Sequence, residues 1–201
     1  MRVEVEGLVV AWPGGPTVGP VSFVAEPGIT HLVGPNGSGK SSVLAGIATA
    51  VRRAAGEVRV GGEDPERSAA ARARIGYVPV GPLHPGFLTV DEAWAFMARM
   101  RNAPAWDGRS LREALDLPGD VRLDRASTGM RRKACLLAAL AGDPPVLLLD
   151  ETLANLDASS LATVVGILRS RRLTVVLTHH GALPEGLEGP EVRLGPGRSG
   201  S

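Results

Sequence analysis

Gly34 to Ser41 read GPNGSGKS: a glycine, four free positions, then Gly, Lys and Ser, the spacing of a phosphate-binding loop. The alternating run Ile29, Thr30, His31, Leu32, Val33 precedes it, and Ser42, Val43, Leu44, Ile47 and Val51 follow as one apolar helical stripe. Strand, loop and helix therefore arrive in the order the motif needs. Glycines keep side chains out of the approach, and the N-terminus of a helix carries partial positive charge. Backbone N–H groups from Asn36 to Ser41 can thus converge on phosphate oxygens. This reading gives Gly34, Pro35, Asn36, Gly37, Ser38, Gly39, Lys40, Ser41 and Ser42 to a nucleotide's phosphates. Lys40 reaches the β- and γ-phosphates and Ser41 binds Mg²⁺.

Composition agrees with that assignment. Of 22 basic residues only Lys40 and Lys133 are lysines, so a chain that otherwise writes Arg keeps Lys where a compact ammonium must sit between phosphate oxygens. Lys133 has no comparable role in this reading. With 201 residues the chain is large enough for one well-buried domain with a small lobe, and one nucleotide site is expected. The net charge of +1 and the scatter of basic residues argue against a nucleic-acid partner. A single cysteine, Cys135, excludes an internal disulfide and a cysteine metal site. No stretch approaches the ~20 apolar residues that span a bilayer, and MRVEVEG at the start lacks a signal peptide's apolar core. The expectation is a soluble, cytoplasmic protein. Because aromatics make up only 3%, the core must rest on Val, Leu, Ile and Ala.

Outward from the loop, residues 2–10 alternate Val3 and Val5 with Glu4 and Glu6, and a Pro/Gly-rich turn leads to Val21–Ala25. These read as antiparallel strands, with further short strands at 56–62 and 75–78. Between 82 and 125 the pattern turns helical: Thr89 to Glu92 form a capping box, with Ala93, Trp94, Met97 and Met100 following on one face. Ser127 can cap a helix whose Met130, Ala134, Leu137, Ala138 and Ala141 share a face. VLLLD, Val146–Asp150, and Leu173–Leu177 are continuous apolar runs of the kind buried on both faces of a parallel sheet. Asp157 caps a helix between them, with Leu161, Val164, Val165 and Leu168 inward. Asp150, Glu151 and His179 thus stand at the C-terminal ends of strands, where open α/β sheets place ligands. Asp150 can hold Mg²⁺ through water, and Glu151 can polarise the water that attacks a γ-phosphate.

Ser127, Thr128, Gly129, Met130, about twenty residues before Asp150, resemble the signature motif of the ATP-binding-cassette ATPases, and the likeness runs through nearly the whole chain. Trp12 resembles the aromatic residue that stacks on adenine, Gly76 to Pro79 the segment entering the glutamine loop, Leu156 and Asp157 the D-loop, and His179 the switch histidine. The resemblance implies an α/β fold: a P-loop NTPase core with a parallel sheet, an antiparallel β subdomain and a small helical subdomain. Residues 1–30 and 56–78 would form the antiparallel lobe, 29–55 and 127–195 the core, 82–125 the helical lobe, and 196–201 a disordered tail. It also implies ATP and Mg²⁺ as ligands. A head-to-tail dimer with a second copy or a related chain follows, in which Ser127 and Gly129 of one protomer cap the γ-phosphate held by Lys40 of the other. Catalysis would fall to Glu151, His179 and Lys40, and Asp157 would belong with the nucleotide-binding residues. Transmembrane permease subunits would be partners, placing the chain at the inner face of the cell membrane. Phe87, Leu88, Trp94 and Phe96 are candidates for docking them, or for packing the helical lobe internally.

Three departures stand out. Val80 occupies the position of the expected glutamine, which implies weakened turnover because valine offers no oxygen; Thr152 stands where proline is common after the glutamate, and Asn155 precedes Leu156. STGM in place of the commoner SGGQ resembles the ATPase subunits of smaller exporters, including the haem-export type of cytochrome c maturation. Two alternatives stay open. One is a non-transport ATPase of the same superfamily, although no coiled-coil insertion or second cassette is visible. The other is an ATP-sensing module with weak hydrolysis, for which Val80 speaks and Glu151 does not.

Overall fold

The computed structural model describes residues 1–81, 84–105, 107–154, 156–179, 181 and 185–195. His180, Asn155 and the tail at 196–201 lie outside the described residues. In chain order the elements are β1 (Val3–Ala11), β2 (Thr17–Ala25), β3 (Gly28–Val33), α1 (Lys40–Ile47), β4 (Arg53–Val60), α2 (Ala69–Ala73) and β5 (Ile75–Val78). Then follow α3 (Val90–Met100), α4 (Arg109–Ala114), α5 (Thr128–Leu140), β6 (Val146–Asp150), α6 (Ala158–Ser170), β7 (Thr174–Thr178) and β8 (Glu191–Arg193).

Five strands form a parallel sheet in the order β5-β6-β7-β3-β8. A strand buried on both faces sends alternate side chains to opposite layers. Leu147 and Leu149 of β6, with Val175 and Leu177 of β7, join a core that includes Leu137 and Leu140 of α5 and Val164 and Leu168 of α6. Val146, Leu148 and Val176 go the other way, to Val43, Leu44 and Ile47 of α1 and to Val3, Val5, Val58 and Val60 of the second sheet. That second sheet is antiparallel, in the order β2-β1-β4. The phosphate-loop helix α1 is therefore clamped between two sheets, which fixes where its N-terminus points.

The helical segment packs on this core through Val90, Ala93, Leu115 and Leu117, and Arg101 adds a polar tie. Arg101, which caps α3, donates to the carbonyls of Ala138 (3.0 Å), Ala139 (2.9 Å) and Ala141 (2.8 Å) at the C-terminal end of α5, and to Ile75 (3.0 Å) at the start of β5. A cation at a helix C-terminus meets orphan carbonyls and the negative end of the dipole. Burial pulls its pKa down to about 10, so it is still charged at neutral pH.

Several expectations are corrected. Residues 75–78 pair in parallel with β6 inside the core sheet and not with the antiparallel lobe, because the strand carries Ile75 and Val78 into the interior. The third antiparallel strand starts at Arg53, three residues earlier than the run 56–62, since Arg53 and Ala55 already pair with β1. Val51 lies beyond the end of α1, packed against the core from a turn. On α3, Ala93 is buried, but Met100 points out, 68% exposed at the helix end.

Candidate active site

β3 stops at Val33, and residues 34–39 wrap back before α1 begins at Lys40. Gly37 (φ +79°) and Gly39 (φ +92°) take the left-handed backbone that glycine adopts without strain. At Gly39 a Cβ would stand 2.3 Å from Cγ1 of Val18, so the loop closes directly onto β2. The Ser38 N–H donates to the Pro35 carbonyl at 3.1 Å, while Ser38 Oγ is buried with no partner. The Lys40 ammonium, 7% exposed, donates to the carbonyls of Gly34 at 2.8 Å and Pro35 at 3.1 Å, which draws it across the loop. Ser41 is exposed. Ser42 accepts the indole N–H of Trp12 at 3.0 Å, so the half-exposed ring is pinned to the first turn of α1.

A cavity of about 490 Å³ opens here between Pro16 and Val18 on one side, the loop and α1 on another, and Glu151 on the third. Glu151 reaches it because its backbone turns left-handed (φ +48°) directly after β6. Behind it lies a dry cluster. Asp150 and Thr178, each 1% exposed, end β6 and β7 opposite one another in the parallel register. The Thr178 hydroxyl donates to Asp150 Oδ1 at 2.7 Å and accepts the Glu151 N–H at 2.9 Å. Burial, and then the charge of Asp150, push the Tyr77 phenol up to about 12.

His179 follows at the end of β7. Its Nδ1 bonds the Gly181 carbonyl at 3.1 Å; a carbonyl only accepts, so this nitrogen carries the proton. The ring meets His31 edge-on, with centroids 5.3 Å apart and planes at 87°. His31 is 2% exposed and donates Nε2–H to the Leu187 carbonyl at 2.7 Å. Burial is the main cause that holds its pKa below the ordinary histidine value, against the opposing Leu187 bond.

The remaining expected residues lie elsewhere. Ser127 caps α5 by accepting the Met130 N–H at 3.2 Å and is exposed, while Gly129 sits in the first turn; neither lines the loop cavity. Asp157 caps α6, accepting the Ser160 N–H and hydroxyl at 2.8 Å each, and pairs with Lys133 at 2.9 Å. The Ser160 N–H first, then Lys133, hold its carboxyl well below the usual carboxylate range. Both lysines thus have defined partners, a role for Lys133 that composition did not reveal. Val80, 45% exposed, faces a different cavity of about 520 Å³ against His84 and α5 residues Thr128, Arg132 and Cys135. Trp94 and Leu88 pack on the core, with the Trp94 indole donating to Asp91 at 3.1 Å, whereas Phe87 and Phe96 stay exposed.

The sequence thus points to Asn36, Gly37, Gly39, Lys40, Ser41, Ser42 and Glu151 of the loop cavity, but not to its other wall, Pro16 and Val18, nor to the roles of Thr178, Tyr77 and Lys133. A signal for Thr178 existed: two buried strands of equal length, each ending on a polar residue, align those residues when they pair in register.

The donor set suits a nucleotide and its metal. Mg²⁺ is held by few protein oxygens, with water and phosphate oxygens completing the shell, which a serine hydroxyl and one buried carboxylate can supply. The buried, unpartnered Ser38 hydroxyl gives the loop a donor for an acceptor-rich group. Among the described residues no group of three His, Cys, Asp or Glu could hold a metal by itself, and no helix is long and apolar enough to cross a membrane.

Comparison with known proteins agrees. The family model described as "ABC transporter" matches residues 18–154. The chain is 36% identical over 172 residues to the Nod factor export ATP-binding protein I of Paraburkholderia xenovorans, covering 80% of this chain but only 56% of that relative. It is 31% identical over 210 residues to the cytochrome c biogenesis ATP-binding export protein CcmA of Mesorhizobium japonicum, covering 97% of this chain and 98% of the relative. Among solved structures, a dimeric bacterial ABC transporter cassette superposes with a TM-score of 0.79 at 19% identity, over 97% of this chain and 95% of that one. A solved ATP-binding subunit of an ABC transporter gives 0.80 at 21% identity, over 90% and 80%. The two structures speak for the fold alone. With the family model and the full-length relative beside them, the chain belongs to the ABC transporter family as one of its nucleotide-binding domains.

Proposed function

We propose that this chain binds and hydrolyses ATP with Mg²⁺, closing head to tail on a second copy or a related chain, and drives separate permease subunits at the inner face of a membrane. The observation that carries this is the shared cavity of Lys40, Ser41 and Glu151 with Asp150 behind it. Loop N–H groups from Asn36 to Ser41 and the Lys40 ammonium bind the β- and γ-phosphates. Trp12 stacks on the base. Ser41 and Asp150 hold Mg²⁺, which when bound neutralises charge on the phosphate oxygens. Glu151 orients and polarises the attacking water, and His179 contacts the γ-phosphate. The exposed cap Ser127 and the half-buried Gly129 in the first turn of α5 supply N–H groups for the nucleotide of the other protomer, and Asp157 adds to the nucleotide-binding set. Exposed Phe87 and Phe96 suit permease docking. Both relatives described above are named as export proteins, which favours an exporter.

The test is ATP turnover by the purified chain beside Glu151→Gln. Loss of the general base lowers turnover about 10²–10⁴-fold while ATP still binds, and the variant accumulates as a dimer on size-exclusion chromatography with ATP. Equal turnover in the two proteins, or no ATP-dependent dimer, sinks the reading. A slow basal rate is expected from Val80, which offers no oxygen and faces the α5 cavity. Val80→Gln in the same assay raises the rate; an unchanged rate removes that explanation.

A further inference from the structure

Two of the site's groups hang on one hydroxyl. Thr178 is buried, and its oxygen has a single hydrogen. Asp150, as a carboxylate, only accepts, so that hydrogen is committed to Oδ1 at 2.7 Å. The Glu151 N–H only donates, so a lone pair of the same oxygen is committed to it at 2.9 Å. Both bonds have a fixed direction with no alternative arrangement. They also act on unequal problems. A buried carboxylate is fixed in orientation by its donor, while Glu151 holds a left-handed backbone (φ +48°) that a non-glycine residue keeps only when its surroundings hold it there. The β6–β7 register, with Asp150 directly beside Thr178, places the hydroxyl where it serves both.

We infer that Thr178 is the positioning residue of the nucleotide site: its hydroxyl fixes the Asp150 carboxylate for the metal and the Glu151 main chain for the attacking water. This rests on the nucleotide reading proposed above. Thr178 touches neither nucleotide nor metal in this role; it acts through its two neighbours. Valine at this position keeps the β-branch that suits a strand and nearly the same volume, but removes the donor to the buried Asp150 carboxylate and the acceptor of the Glu151 N–H. Serine keeps the hydroxyl and loses only a methyl.

The experiment measures equilibrium binding of a fluorescent ATP analogue, with Mg²⁺ and with chelator, together with turnover, for the natural chain, Thr178→Val, Thr178→Ser and Lys40→Ala. Thr178→Val loses about 10–100-fold in the Mg²⁺-dependent part of the affinity and in kcat, as losses behind a metal ligand do, with chelator affinity unchanged. Thr178→Ser stays near the natural chain in both. The inference is overturned if Thr178→Val matches the natural chain, if Thr178→Ser is equally impaired, or if the loss is the same with chelator. Should Thr178→Val not fold, Thr178→Ala makes the same deletion under the same criteria. A natural chain that binds no better than Lys40→Ala overturns the nucleotide reading and this role together. Normal natural binding with an unaffected valine variant overturns this role alone.

Discussion

The phosphate loop and the strand-end cluster border one cavity, yet they are built by opposite means. The loop is contiguous: nine residues from Gly34 to Ser42 fold against their own carbonyls, and its lysine is satisfied by Gly34 and Pro35 a few positions away. The cluster is assembled from residues 28 apart in sequence, Asp150 and Thr178, which meet only because two parallel strands pair in one register. The loop faces solvent at Ser41, whereas the cluster is closed to it. A contiguous site tolerates shifts in the surrounding sheet and depends on backbone conformation; a register-built site depends on burial and on every hydroxyl having a partner.

The sharpest separation of the two regions is in nucleotide binding. Lys40→Ala removes a charge-assisted donor to the phosphates and is expected to weaken ATP about 10²-fold or more, both with Mg²⁺ and with chelator. Asp150→Asn should weaken it only with Mg²⁺. Titrating the fluorescent analogue under both conditions checks this. If the two variants lose the same affinity in chelator, the loop and the cluster are not separable and the contrast fails.

A backbone test follows on the loop side. Gly39→Ala forces φ +92° on a residue with a Cβ and drives that carbon to 2.3 Å from Val18 Cγ1. The expected cost is about 1–2 kcal/mol for the left-handed backbone and about 1–3 kcal/mol for the overlap. Measured against the single Val18→Ala variant, adding Val18→Ala should return most of the overlap component and leave the backbone component, read as urea midpoints of the four proteins. If Val18→Ala returns nothing, the loop does not close on β2 as described.

What was legible in the sequence follows the same division. GPNGSGKS could be read because every group it needs lies within one octet, and VLLLD and LTVVLT because a strand buried on both faces must be apolar throughout. The order of strands is not legible in sequence, which is why 75–78 reads as part of the antiparallel lobe: a run of four residues, here three of them buried, looks alike as an antiparallel edge or a parallel neighbour. Nor was Thr178, whose threonine is unremarkable until Asp150 stands beside it, or His31, which reads as one more strand residue until His179 meets its ring. Lys133 was passed over because its partner Asp157 is on another helix. Ser127 and Gly129 are named by motif; Ser127 is exposed and Gly129 half-buried, and neither lines the loop cavity.

The smallest effect probes how dry the strand-end cluster is. Tyr77 is the single tyrosine of the chain, so its ionisation can be followed directly by ultraviolet difference absorbance of the phenolate. Burial is the larger cause of its rise to about 12, and the Asp150 charge the smaller. Because the folded pKa lies above the ordinary value of about 10, the phenol's contribution to stability is fully present below pH ~10 and is lost as pH rises through 12. Asp150→Asn removes the charge and keeps the burial, so the midpoint should fall only part of the way toward its ordinary value. Thr178→Val, which keeps the charge, should leave the midpoint high. A midpoint that ignores Asp150→Asn would mean the carboxylate's field is screened by water at Tyr77, and the cluster would then be as open as the loop it is contrasted with.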